Sequence, residues 1–144
     1  MIYCDTSLLV SALLFSEPRS HASQIWLADH SADGLAISAW VQTEFAIAIA
    51  LRARRRDLDD AAKARVLRTW AVLLSSFEPL RLEQRHFEAA AGYVLEAGSR
   101  LRAGDAVHLA VALDHHCTLA TLDRDLDDEA ARRGISEKLL AGDA

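Results

Sequence analysis

Short apolar runs alternate with helix-period stretches along the whole chain. Met1–Cys4 is apolar and ends at Asp5-Thr6-Ser7, residue types that open helices. A helix is expected from there to about Phe15, and a second from about Pro18, near its first turn, to His30. Gly34–Ile37 reads as a buried strand, and Ser38 caps a helix running from Ala39 to about Arg56. That helix is apolar nearly all round in its middle, which predicts an internal position. Between Asp57 and Phe77, the residues Val66, Trp70, Leu73, Leu74 and Phe77 share one face of an amphipathic helix that Pro79 stops. Leu80–Leu82 then reads as a strand, His86–Ala97 as a helix closed by Gly98, and Asp105–His115 as a largely apolar helix. Cys117–Thr121 is a further strand, Asp123–Arg133 a helix closed by Gly134, and Lys138–Ala141 a last edge strand.

Strands separated by helices cannot pair as hairpins. They require right-handed crossovers, hence a three-layer α/β fold with a mostly parallel central sheet of four to five strands. No linker, repeat or composition break divides the 144 residues, so a single domain over 1–144 is expected, long enough to bury roughly 68–70% of its unfolded surface. In such sheets the ligand crevice lies beyond the carboxyl ends of the strands.

Composition narrows the function classes. The 51% hydrophobic content excludes disorder, and a net charge of −5 excludes a broadly basic nucleic-acid clamp, so a polyanion would have to be held by local patches or bound metal. The longest apolar run, Phe45–Leu51, is far short of the ~20 residues of a membrane helix. Leu8–Phe15 is greasy, but Asp5 and the lack of Lys or Arg before it give the wrong charge for a signal peptide. A cytoplasmic protein is expected. Cys4 ends one strand and Cys117 begins another; they are expected at opposite edges of the sheet, out of disulfide reach, as small buried hydrophobes.

The residues just after the strands are acidic. Asp5 follows the first strand, Asp123 the Cys117 strand, and Asp105 opens a helix behind Gly104. Taken singly, each reads as an ordinary helix cap. Glu44 does not, because it lies inside the apolar stretch Trp40–Ile47 with no cation within the preceding turn. A buried carboxylate without a partner costs several kcal/mol, of order, or holds a proton. If the four acids meet at the strand ends, each pair ~4 Å apart repels by about 4 kcal/mol at an effective dielectric of 20. A hard divalent ion answers this, and Mg²⁺ or Mn²⁺ suits carboxylates and water.

Four segments carry a resemblance: Ile2–Ser7, Ser38–Phe45, Ala103–Ala110 and Thr121–Asp123. In this order and at these separations they resemble the signature of the PIN-domain family, and within it the VapC-like toxins of bacterial toxin–antitoxin pairs. The resemblance implies a PIN-like fold and a metal-dependent endoribonuclease, with Asp5, Glu44, Asp105 and Asp123 as the catalytic, metal-holding acids. The fourth position stays open among Asp123, Asp125 and Asp127. It also implies an RNA substrate, a homodimer and a protein antitoxin on the N-terminal helices. Mg²⁺ held by the acids would activate a water for in-line attack on a phosphodiester. Thr6 and Ser7 would orient Asp5 or a metal-bound water, and Thr121 the last acid, unless these residues only cap and terminate elements.

Other residues admit two readings. Arg52, Arg54, Arg55 and Arg56 either complement a helix dipole or meet an RNA backbone. Arg100 and Arg102 flank the approach to Asp105 and are candidates for phosphate contact. His108 shares the Asp105 face and reads as a satisfied core histidine rather than a ligand, while His115 and His116 cap a helix. No Cys/His zinc spacing exists, and Trp26, Trp40 and Trp70 fall at core positions. Leu8, Leu9, Leu13, Leu14 and Phe15 carry more apolar surface than one helix face needs, which leaves a groove or dimer face open beside inward packing. A catalytically idle RNA- or protein-binding module of the same fold is the alternative. A phosphoacceptor signalling domain fits poorly, because Lys63 and Lys138 are the only lysines and neither ends a strand.

Overall fold

The structure is a computed structural model in which residues 1–139 are described. Four strands form one parallel sheet in the order β3-β2-β1-β4: β1 (Ile2–Cys4), β2 (Leu35–Ser38), β3 (Glu78–Leu80) and β4 (Thr118–Ala120). Helices α1 (Thr6–Leu13) and α2 (Ser20–Asp29) link β1 to β2, and α3 (Ala39–Arg54) and α4 (Asp60–Leu74) link β2 to β3. Helices α5 (Gln84–Leu95) and α6 (Ala103–Asp114) lead to β4, and α7 (Arg124–Arg132) follows it. The chain winds outward from β1 through β2 to β3, then returns to the other side of β1 for β4. The carboxyl ends of β1 and β4 therefore form a topological switch point, where open α/β sheets place their ligands. Asp5 and Asp123 stand at those two ends.

The expected elements are present, with informative shifts. Pro79 does not stop a helix ahead of its strand; it lies within β3, opposite Ile37. An edge strand tolerates the missing N–H. The helix expected to be internal, α3, buries only Val41, Phe45 and Ile49, while Ile47 and Leu51 are exposed. The internal helix is α6, buried continuously from Ala106 to Ala112. Lys138 and Leu139 are not a strand, and the rest of that expected segment lies outside the described residues. Instead Ser136 makes a single parallel bridge to Leu119, so residues 135–137 line the outer side of β4.

The cysteines are free and buried, but not at opposite edges: β1 and β4 are hydrogen-bonded neighbours. Cys4 pairs with Ala120, which leaves Cys117 three residues back, about 10 Å along the strand. No helix of the described residues is long and apolar enough to cross a membrane. Side chains of both layers, including Leu8, Leu9, Phe45, Leu109 and Leu119, fill the core around the sheet.

Candidate active site

Asp5 leaves β1 in extended conformation and caps α1, with Oδ1 accepting from Leu8 N at 3.3 Å. The same oxygen accepts from Ser7 Oγ at 2.6 Å, and Oδ2 accepts from Thr121 Oγ1 at 2.8 Å. The carboxylate is only 3% exposed, and these donors are all neutral. Burial pushes its pKa up, against the opposing pull of His108 and the three hydrogen bonds. The two hydroxyls also tie Asp5 to the second switch-point strand. Ser7 Oγ accepts from Leu122 N at 2.9 Å, and Thr121 Oγ1 accepts from Asp123 N at 3.0 Å.

Asp123 caps α7, its Oδ1 accepting from Leu126 N at 3.0 Å. Asp105, in the first turn of α6, accepts from Arg102 N at 3.1 Å through Oδ2. Burial raises its pKa, and the charges of Asp123 and Asp5 push it further up. Asp5, Asp105 and Asp123 each cap a helix and share one electrostatic neighbourhood. Asp125 is paired instead with Arg100 at 2.7 Å, and Asp127 accepts from Ser136 Oγ.

Glu44 enters from α3. Its Oε2 accepts from Thr6 Oγ1 and from His108 Nε2, both at 2.6 Å. Thr6 therefore holds Glu44, not Asp5 as its position beside Asp5 suggested. Burial raises the Glu44 pKa, but the His108 hydrogen bond and charge, Thr6 and Trp40 outweigh it, and the net shift is downward. An ionised carboxylate only accepts, so His108 Nε2 carries the proton. The ring's Nδ1 lies 2.9 Å from Tyr3 Oη, which lies 2.8 Å from Ser38 Oγ. His108 is the satisfied core histidine that its spacing indicated, and its two partners come from β1 and α3. Both hydrogen bonds reach half-buried Glu44 through the one oxygen, Oε2.

The donor set suits a hard divalent cation. Asp5, Asp105 and Asp123 offer carboxylate oxygens alone, and their shared negative field is what such an ion neutralises. Among the described residues the group whose metal-ligand atoms lie within 4.8 Å of one another is not the acids but His86, Asp114 and His115, unseen in the sequence because 28 residues separate its first two members. Its chemistry points elsewhere. His86 Nδ1 accepts from Glu83 N at 2.9 Å, so the neutral ring carries its proton on Nε2, 3.0 Å from Asp114 Oδ2. That nitrogen is a donor to Asp114, which Arg85 also engages. His115 Nε2 lies 3.1 Å from the carbonyl oxygen of Arg81. The group is a latch joining α6 to α5 and to the loop after β3.

Of the candidate phosphate contacts, Arg102 is exposed at the start of α6, whereas Arg100 already bridges Asp125 and Asp128. Arg52 pairs with Glu17 at 2.6 Å, leaving Arg54, Arg55 and Arg56 as the exposed part of that cluster. Trp70 is buried on Phe45, as a core residue should be. Trp40 is half-buried beside the site, edge-on to Phe87.

A parallel sheet with carboxylates gathered beyond its strand ends defines a class of acid-site α/β proteins. The PIN domain family profile matches residues 2–131, and the chain belongs to that family. Solved structures of the same fold include VapC20 of Mycobacterium tuberculosis, described as a sarcin–ricin loop cleaving toxin (18% identity, TM-score 0.71, 95% of this chain and 98% of that one). FitAcB of Neisseria gonorrhoeae matches at 22% identity and TM-score 0.69, over 91% of this chain and 94% of that one. VapBC2 of Rickettsia felis, solved on a DNA fragment from its promoter, matches at 17% identity and TM-score 0.68, over 94% of this chain and 96% of that one. No curated protein matches the chain in sequence.

Proposed function

We propose that the protein is an Mg²⁺-dependent endoribonuclease (Mn²⁺ serving as well) that acts in the cytoplasm as the toxin of a toxin–antitoxin pair. The observation that carries this reading is Asp5: a carboxylate 3% exposed, held by neutral donors, whose charge reaches Asp105, itself in the field of Asp123. Such a site is stable when a cation joins it. Asp5, Asp105 and Asp123 would hold the ion, with Glu44 reaching it through Oε1, the oxygen not engaged by Thr6 and His108. The bound ion supplies an activated water and neutralises charge on the phosphoryl group under attack. The residues' own work is placement. Ser7 and Thr121 fix both oxygens of Asp5, and Thr6 and His108 fix one oxygen of Glu44. Arg102 would meet the RNA backbone directly, and Arg100 would do so by exchanging its carboxylate partners for phosphate.

The antitoxin has a place to bind. A groove of about 800 Å³ runs between the end of α1, α2 and α4, lined by residues such as Leu13, Leu27, Leu58, Val66 and Leu73. Phe15 stands at it 86% exposed. Most of the surplus leucines of α1 turn inward, and the groove gathers at the end of the helix. An amphipathic antitoxin segment would cover it. A homodimer would cover other apolar surface, for which Ile47 and Leu51 on α3 are available.

The test is cleavage of a structured RNA by the purified protein. Cleavage with Mg²⁺ is expected, lost with EDTA and in Asp5→Asn. RNA bound but left intact under every divalent ion would instead favour the idle binding module.

A further inference from the structure

Gly104 occupies the first turn of α6, beside Asp105, and its backbone conformation does not call for glycine. The glycines at 34, 98 and 134 have φ of 79°, 78° and 72°, where an L side chain would be strained; Gly104 has no such φ. In a helix, alanine is the more favourable residue. What singles out Gly104 is space. A Cβ there would lie 2.5 Å from Glu44 Oε1 and 3.4 Å from Trp40 Nε1, whereas at Gly92, also helical, it would meet nothing within 4 Å. The obstructing oxygen ends a side chain, but that side chain is not free to swing. Its other oxygen is fixed by Thr6 and by His108, itself buried and backed by Tyr3 and Ser38. Trp40 Nε1, buried beside the Glu44 carboxylate, closes the same corner.

We propose that Gly104 is a positioning residue: its missing side chain is the slot that lets the Glu44 carboxylate lie against the start of α6, beside Asp105, while Thr6 and His108 hold its other oxygen. This deepens the nuclease reading and rests on it only for the consequence to catalysis. Gly104→Ala fills the slot, so Glu44 must give up a hydrogen bond or withdraw from the acids.

The metal-free protein gives the first readout. In the wild type the His108 Nε2–H proton should appear downfield in the NMR spectrum, bonded to Glu44, and in Gly104→Ala it should shift or vanish. Titration with Mn²⁺ gives the second: Gly104→Ala should weaken binding by about tenfold, yet change nothing further in a Glu44→Ala background. In Glu44→Asp, shorter by one methylene, the added Cβ should be better tolerated. An unchanged His108 resonance in folded Gly104→Ala would overturn the proposal, as would an equal loss of Mn²⁺ affinity with and without Glu44. If Gly104→Ala fails to fold, Gly104→Ala/Glu44→Ala must fold, and its failure to do so also overturns the proposal. A wild type that binds no Mn²⁺ and cuts no RNA would remove the nuclease reading alone, because the His108 resonance still decides the role of Gly104.

Discussion

Asp5 carries two duties that pull in opposite directions. Its hydrogen bonds to Ser7, Thr121 and Leu8 organise the strand ends, yet burial raises the free energy of its charged form. The sign of the pH effect follows. Below about pH 4 the residue is neutral in both folded and unfolded chains. As pH rises above that, the unfolded chain releases the proton first and the folded state retains it, so metal-free stability falls with pH. Asp5→Asn has no such proton to lose. Its melting temperature relative to wild type should therefore climb as pH rises from 4 towards the raised folded pKa, then level off, and saturating Mg²⁺ should shrink the difference by stabilising wild type. A gap that is flat with pH would mean that Asp5 titrates normally. The places of Asp5 and Asp123 at strand ends were legible because strand–acid–helix order is local, and Glu44 stood out as a carboxylate within an apolar helix. The bracket around Glu44 was not. Tyr3 and His108 stand 105 residues apart and Thr6 and Glu44 38 apart, and no spacing rule joins them.

Among the elements, α5 and α6 are joined at one end by His86 and Asp114. His86 is 1% exposed, so its Nε2–H has no access to water once its acceptor is removed. Asp114→Ala should cost about 1–3 kcal/mol of unfolding free energy in denaturant titration, and Asp114→Asn, which keeps an acceptor oxygen, clearly less. Equal losses would show that the hydrogen bond contributes nothing. Element order was read well from periodicity and end signals, but position in the layers was not. α3 and α6 are both rich in alanine and branched aliphatic residues, and residue type alone does not say which lies between other layers. The sheet covers α6 on one side, whereas α3 presents Ile47 and Leu51 outward. β3 was displaced by two residues because proline was read as a stop, although edge strands admit it.

For the whole molecule, the acids and the apolar groove are separate surfaces, to which the proposed function gives separate partners. Phe15, 86% exposed, should matter little to stability and much to a protein partner. Phe15→Glu should melt within about 0.5 kcal/mol of wild type, keep the proposed RNA cleavage, and lose at least tenfold in affinity for the proposed antitoxin. Unchanged antitoxin affinity would move the partner to another face. On the proposed reading, Asp5 and Asp123 at the switch point, with Asp105 in their field, require a cation. Anomalous diffraction from crystals soaked in Mn²⁺ tests it most directly. A peak is expected among Asp5, Asp105 and Asp123, absent from Asp5→Asn crystals. No peak there, or a peak only at His86, Asp114 and His115, would contradict it.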